Sequence, residues 1–451
     1  MLRYETDSRK INKGQIFVAI KGLTVDGHNY IDEAIKNGAS KIISENDLNI
    51  DIPYIKVSNT YNYLKKILKK EYGKIINSIK LIGITGTNGK TTSSYLTYQM
   101  LNFLEVNTAY IGTIGFYFNG EIIPLNNTTP DLLTTYKLIL KAISGGAKCV
   151  VMEVSSHALC LDRLYGINFD NVVFTNLTME HLDYHKTMEN YLKAKQLILK
   201  HLKYKAKIIA NSDDDNYLKF KKKGFDFYTF GFNGDYKILS YETVVDKIKL
   251  KFSFSNNEYN VIIPLTNIFN IYNYLTMLAI VNLYGFEIKD IISNTSKIKA
   301  PKGRCERYCL NKGYAVIDFA HSPDAVLKVI NAYNDIKEGK IITIIGCGGD
   351  RDSEKRPIIG NIATSLSNYV IFTNDNPRTE KPNKIISDIL SGVKSSNFEV
   401  IYDRSLAIKK GISLLEDNDI LLILGKGHEN YQIIGNERYY FDDAEEVSKY
   451  K

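Results

Sequence analysis

Four short apolar runs, YAVID (314–318), IITII (341–345), YVIF (369–372) and ILLIL (420–424), lack the polar alternation of a half-exposed strand, and each breaks into a polar loop. A strand that is apolar at nearly every position is buried on both faces, which implies a parallel sheet covered by helices. The loops read FAHSPD, GCGGDRD, TNDNPR and GKGHEN. Ligands of open α/β sheets sit beyond the carboxyl ends of the strands, so these four loops are expected to converge on one crevice. The same rhythm occurs upstream. IKLIGIT (79–85), CVVMEVS (149–155) and NVVFTNL (171–177) each lead into a polar loop and a stretch of helical periodicity. The chain therefore reads as α/β, with parallel sheets and crossover helices.

At 451 residues the chain is long for one core, and domains of roughly 150 residues suggest about three. Residues 1–79 read as a small α/β domain with strands at QIFVAI and SKIIS, a helix near 31–37, and no phosphate loop. Residues 80–300 follow as a central P-loop domain; within it, 225–265 alternate with period two and suit antiparallel strands. The Pro/Gly/Lys stretch KIKAPKGRC opens a Rossmann-like domain at 301–451. The net charge of +8 is spread along the chain, and its only cluster, KFKKKG (219–224), reads as a solvated helix end rather than a nucleic-acid patch. No apolar run approaches ~18 residues and MLRYETDSRK has no signal-peptide core, so a cytoplasmic protein without membrane association is expected. The five cysteines form no CxxC pair and suit buried free thiols.

GITGTNGKTT (83–92) lies between a strand and a helix whose Leu96, Met100, Phe103 and Leu104 share a face. Glycines let backbone N–H groups approach phosphate oxygens, Lys90 can reach terminal phosphates, and the Thr91 hydroxyl can bind Mg²⁺. The strict P-loop pattern is not met, because position 84 is Ile. Glu153 ends one apolar run, where an unpaired carboxylate is costly without a metal or cation, and His181 lies beyond the next. Either alone is an ordinary structural residue; together, on strands that can neighbour the P-loop strand, they suit a hard metal beside phosphates. Lys195, by pattern, is one more exposed helix lysine. Asp375-Asn376-Pro377-Arg378, by pattern, is a surface Asx-Pro turn.

Across essentially its whole length the sequence resembles the Mur ligases, ATP-dependent amide-forming enzymes of peptidoglycan precursor synthesis, on TGTNGKTT, EVSSHAL, TNLTMEHLDYH, GCGGDRD and DNPR. It is most similar to those that add a diamino acid as the third peptide residue. The resemblance implies that Gly86, Thr87, Asn88, Gly89, Lys90, Thr91 and Thr92 hold ATP phosphates, that Asn270 and Asn273 lie near adenine, that Asp318 contacts the ribose, and that Arg304 meets the γ-phosphate. It implies a magnesium site of Thr91, Glu153, His181 and Lys195, with Lys195 carbamylated by CO₂ so that an ammonium becomes an anion. Ser8, Asn127, Thr128, Thr129, Ser155 and Arg163 match the UDP-sugar-peptide positions. Leu161 stands where some relatives have Gln, and only six residues precede Asp7, where relatives carry about a dozen, so a shortened uridine pocket is expected.

The acceptor side is implied to comprise Arg351, Asp375, Asn376, Pro377, Arg378, Gly425 and Glu429, with Arg378 gripping a distal carboxylate and Glu429 facing a distal amine. The expected reaction transfers the γ-phosphoryl group of ATP to the D-glutamyl γ-carboxylate of UDP-N-acetylmuramoyl-L-alanyl-D-glutamate. The amine of 2,6-diaminopimelate then attacks the acyl phosphate. His181 and His321 are both candidates for the base. The alternatives are another acceptor, lanthionine or L-lysine, or a nucleotide-gated binding protein without ligation. A monomer is the family expectation.

Overall fold

The structure is a computed structural model that describes residues 2–22 and 25–450. The chain forms two compact units, Met1–Lys237 with Leu275–Ile291, and Ile238–Tyr274 with Ile292–Lys451. Among the described residues no helix is long and apolar enough to cross a membrane.

The first unit holds two sheets. The smaller has four parallel strands in chain order, Tyr4–Glu5, Ile16–Val18, Lys41–Ser44 and Tyr54–Lys56. The larger runs Asp226–Gly231, Leu202–Asn211, Phe169–Phe174, Lys80–Thr85, Cys149–Glu153 and Thr108–Gly112, all parallel, and is closed by the antiparallel strands Gly115–Phe118 and Glu121–Ile123. The strand before the phosphate loop is therefore central. Its two neighbours end at Glu153 and lead towards His181, as the metal argument requires: Ile84 pairs with Glu153 and Thr85 with Phe174. Leu96 and Met100 of the helix Lys90–Phe103 are fully buried, as are Ser93, Ser94 and Thr97, so this helix hides nearly its whole circumference.

In the 225–265 stretch, Ile248–Phe254 and Asn257–Ile263 form an antiparallel hairpin as expected. Phe230 and Gly231 instead pair in parallel with Tyr236 and Lys237. The Asp235 carboxylate fastens this tight link by accepting from Thr229 N and Oγ1 at 2.7 and 2.8 Å.

The second unit carries the four runs. Their order is Tyr314–Asp318, Ile420–Leu424, Ile341–Ile345 and Tyr369–Phe372, all parallel, with Glu306–Cys309 antiparallel at one edge and Phe398–Val400 parallel at the other. Side chains alternate between two cores. Val316, Ile345, Val370 and Leu422 pack with the helices Pro323–Asn334, Lys355–Leu366 and Pro382–Leu390; Ala315, Ile344, Ile371 and Leu421 pack with Arg404–Ser413 and Asp443–Ser448. Both faces are covered, which is why the runs carry no polar alternation.

Candidate active site

Gly86, at the end of the strand Lys80–Thr85, has φ 151°. A Cβ there would lie 1.8 Å from Thr175 Oγ1, so no other residue fits. The phosphate loop is tied to the neighbouring strand end. Thr87 N donates to Asn176 O at 2.8 Å, Asn88 N to Asn176 Oδ1 at 2.9 Å, and Thr175 Oγ1 to Asn88 O at 2.7 Å. Gly89, at φ 83°, turns the chain into the helix, and the Lys90 ammonium lies over the loop, donating to Gly86 O and Thr87 O at 3.0 and 2.8 Å. The backbone N–H groups of the helix start and the lysine together favour an anion here. Thr91 and Thr92 are buried just behind.

Glu153 is fully buried, yet it is not the lone carboxylate that the sequence suggested. Its Oε1 accepts from Tyr110 OH at 2.5 Å and Thr113 N at 2.8 Å; its Oε2 accepts from Thr91 Oγ1 at 2.8 Å and Thr113 Oγ1 at 3.1 Å. Four neutral donors offset its burial without a cation. Burial and Glu153 together raise the Tyr110 phenol well above its ordinary range. Thr113, which the sequence reading missed, also meets Thr128 Oγ1 at 3.0 Å. Thr129 Oγ1 donates to Glu153 O at 2.8 Å and accepts from Ser155 N at 3.0 Å, and Arg163 Nη1 donates to Thr129 O at 3.0 Å. Four of the six expected sugar-peptide residues thus surround Glu153. Asn127 is exposed one residue before them, and Ser8, in the smaller sheet's loop, donates to Glu33 at 2.5 Å.

Lys195 is corrected most sharply: it is 1% exposed. Its Nζ donates to Gly86 O at 2.6 Å and lies 4.3 Å from the centre of the Tyr191 ring. Burial first, then the nearby Lys90, pushes this amine well below the usual lysine range, against a smaller pull from Glu180. The signal was present but weak: Lys195 follows the buried Tyr191 and Leu192 by four and three residues, on one stripe of the helix Met188–Gln196.

His181 sits at φ 57°, its Nε2 3.6 Å from Glu180, and burial lowers its proton affinity. Two histidines not singled out by sequence stand beside it. The His157 ring is 4.9 Å from His181 and 5.3 Å from His185, and His185 Nε2 is 2.9 Å from Ser156 Oγ. Burial, then the two other imidazoles, pushes His157 down to about 4. For a hard cation, the adjacent oxygens of Thr91 and Glu153 are suitable donors. His181 and Lys195 both pack against Tyr191, at 6.0 Å between ring centres and 4.3 Å from Nζ to the ring centre, and burial disfavours the charged form of each.

In the second unit the four loops meet, as expected. Gly425 N donates to Asp318 O at 3.1 Å and Gly349 N to Asn376 O at 2.9 Å. The 375–378 stretch is not a surface turn. Asp375 and Asn376 are buried, and the chain meets the hairpin Tyr431–Ile434 and Glu437–Tyr440 through one bridge, Arg378 to Ile434, with Arg378 N donating to Ile433 O at 2.9 Å. Asn376 Nδ2 donates to Asp375 Oδ1 at 2.9 Å and Glu429 Oε2 at 2.8 Å, and its Oδ1 accepts from Ile433 N at 3.0 Å. Both ends of this amide bind protein, so Asn376 ties the loops together. Arg378, at φ 51°, donates to Gly349 O at 2.7 Å. A Cβ on Gly348 would fall 2.9 Å from Arg378 Nη1 and 3.8 Å from Arg351 Cγ, so the two arginines flank one glycine. Gly425, at φ 109°, leaves space for Asp375 Oδ2.

Among the residues expected at the nucleotide, Asp318 accepts from Cys305 N and Ala320 N, each at 2.8 Å, which fixes the backbone next to Arg304. Burial raises its carboxyl, with Arg304 opposing. Asn270 and Asn273 are buried partners, Asn273 Nδ2 donating to Asn270 Oδ1 at 2.9 Å.

Three profiles of one family match in succession: "Mur ligase family, catalytic domain" over residues 4–82, "Mur ligase middle domain" over 84–281, and "Mur ligase, glutamate ligase domain" over 303–427. The UDP-N-acetylmuramoyl-L-alanyl-D-glutamate–2,6-diaminopimelate ligase of Fusobacterium nucleatum is 40% identical across 98% of this chain and 92% of its own. The chain belongs to the Mur ligase family. The protein of the same name from Bacillus cereus is 38% identical, again over 98% of this chain and 92% of its own. A solved structure under that name superposes with a TM-score of 0.69 at 30% identity, covering 99% of this chain and 93% of the other. This Mur ligase is therefore an ATP-dependent amide-forming enzyme.

The sequence reading missed the buried charges near the strand-end loops of the second unit of the ligase. Arg404 and Asp443, neither exposed, pair through Nε–Oδ1 at 2.7 Å and Nη2–Oδ2 at 2.8 Å, and Arg404 Nη2 also holds Leu424 O at 3.1 Å. Lys426, wholly buried, lies 3.7 Å from Glu429. The Arg404–Asp443 pair spans 39 residues, so no local motif announces it.

Proposed function

We propose that this Mur ligase joins 2,6-diaminopimelate to the D-glutamyl γ-carboxylate of UDP-N-acetylmuramoyl-L-alanyl-D-glutamate, with ATP converted to ADP and phosphate. The observation that carries the acceptor assignment is the 375–378 stretch, fastened to Glu429 by Asn376 while Arg378 and Arg351 flank Gly348. Acids and forked cations side by side suit the zwitterionic distal end of a diamino acid; a lysine tip calls for acids alone.

In this reading Gly86, Thr87, Asn88, Gly89, Lys90, Thr91 and Thr92 hold the phosphates, Asn270 and Asn273 serve adenine, Asp318 serves the ribose, and Arg304 meets the γ-phosphoryl group. Lys90 and Arg304 offset its charge during transfer to the carboxylate, an effect of position and electrostatics. Thr91, Glu153, His181 and Lys195 would hold Mg²⁺, which supplies charge neutralisation at the phosphates. The unprotonated amine of Lys195 is the form that adds CO₂, and the carbamate would give that site its second anion. Ser8, Asn127, Thr128, Thr129, Ser155 and Arg163 position the sugar peptide. The residues divide into functional segments 1–79, 80–300 and 301–451. Water-soluble nucleotide substrates fit a monomeric cytoplasmic enzyme.

The test is ADP release with the sugar dipeptide and a panel of amino acids. Release should depend on diaminopimelate. Release equal without any acceptor supports a nucleotide-gated protein instead, and preference for lysine or lanthionine moves the acceptor assignment.

A further inference from the structure

Three groups gather on one phenyl ring among the strand-end loops of the second unit. The Arg304 guanidinium lies 4.8 Å from the centre of the Phe319 ring, and the imidazoles of His321 and His428 lie 4.6 and 5.0 Å from it. Two glycines allow the loops to close this far. A Cβ on Gly303 would fall 2.1 Å from Gly427 C and His428 N, and one on Gly427 would fall 2.6 Å from Phe319 Cβ.

Within this cluster Arg304 Nε and His428 Nδ1 are buried and have no hydrogen-bond partner. Buried ring nitrogens are paired in the large majority of cases, so an exception in a loop of this polarity points to a task. The strongest electrostatic influences on His428 come from Arg304 and Lys302 in the segment before Cys305, His321 in the loop after Asp318, and Lys426 in its own loop, all of which disfavour its protonation. Burial and these cations push His428 down to about 3, so its ring is neutral at neutral pH. The next residue, Glu429, joins Asn376, so one loop carries both the imidazole beside Arg304 and the acid at the acceptor stretch.

We propose that His428 is the proton acceptor for the attacking amine. This rests on the function proposed above, in which Arg304 meets the phosphoryl group and Glu429 with Arg378 holds the distal end of the amino acid. The acceptor arrives as an ammonium ion without a free electron pair. The imidazole takes one N–H proton and becomes imidazolium. The released pair forms the C–N bond at the acyl carbon, and the C–O bond to phosphate breaks with its electrons going to phosphate. The phosphate takes the second N–H proton, and the imidazolium returns its own to water. Negative charge arriving beside Arg304 offsets the cations that hold His428 unprotonated, so the imidazole becomes a competent base only once the phosphoryl group is in place.

Hydroxylamine separates the steps, because it is already unprotonated at neutral pH and captures acyl phosphates without a base. In H428Q, amide formation with diaminopimelate should fall by roughly 10²- to 10⁴-fold near neutral pH. The deficit should narrow as pH rises and the amine loses its proton unaided, while hydroxamate formation and the KM for ATP stay near the parent values. H428N serves as a second variant should H428Q fold poorly. Equal loss with both nucleophiles, a pH-independent deficit, or unchanged amide formation would overturn the proposal. No hydroxamate from the parent enzyme would instead overturn the acyl-phosphate reading on which it stands.

Discussion

A lysine that is 1% exposed and bonded to one carbonyl is an expensive residue to retain for packing alone. Its proton affinity is lowered in the fold, so the unfolded chain binds more protons here; the stability it withholds returns only as pH rises towards the ordinary lysine range. At neutral pH, Lys195→Met should therefore be at least as stable as the parent in thermal or denaturant unfolding, by a margin on the order of 1 kcal/mol, while losing activity. Lys195→Ala should be inactive and regain part of its activity with a short carboxylic acid. An alanine variant as active as the parent contradicts the carbamate. At the other site, Arg378→Lys keeps the charge and loses the fork. The acceptor KM should rise roughly 10- to 100-fold with the KM for ATP nearly unchanged, as read by steady-state kinetics.

The loop and helix elements around His157, His181 and His185 give the fold an acid limit. Native His157 holds its proton only below about 4, against about 6.5 in an unfolded chain. Its contribution is intact above the unfolded value and is lost as pH falls from there to about 4. Urea midpoints measured across that window should decline, and His157→Gln should flatten the slope; an unchanged slope would place the acid sensitivity elsewhere. At this scale much was legible beforehand. Runs such as IITII and ILLIL suit strands covered on both sides, and the runs at 149–153 and 171–174 were readable as possible neighbours of the P-loop strand, which they are. The orientation of 375–378 was not legible, because it is set by a hairpin more than fifty residues later. Nor was the paired state of Glu153, whose donors Tyr110 and Thr113 come from a different strand and the loop after it.

Across the whole molecule one rule positions both sets of polar residues. Each unit presents them at the carboxyl ends of parallel strands, the phosphate loop after 80–85 and the proposed acceptor loops after 345, 372 and 424. In the proposed function the residues that set chemistry differ from those that set choice: Lys90, Glu153 and Lys195 lie in the first unit, Arg378 and Glu429 in the second. Substitutions in the second set should change which amino acid is used before they change whether ATP is used. The central claim is selection of a zwitterionic distal end, and the most direct measurement is the product mass from one reaction. It would contain the sugar dipeptide, ATP and equimolar diaminopimelate and lysine, with ADP counted alongside. The diaminopimelate adduct should dominate with one ADP per amide; a dominant lysine adduct, or ADP released without any amide, would contradict it.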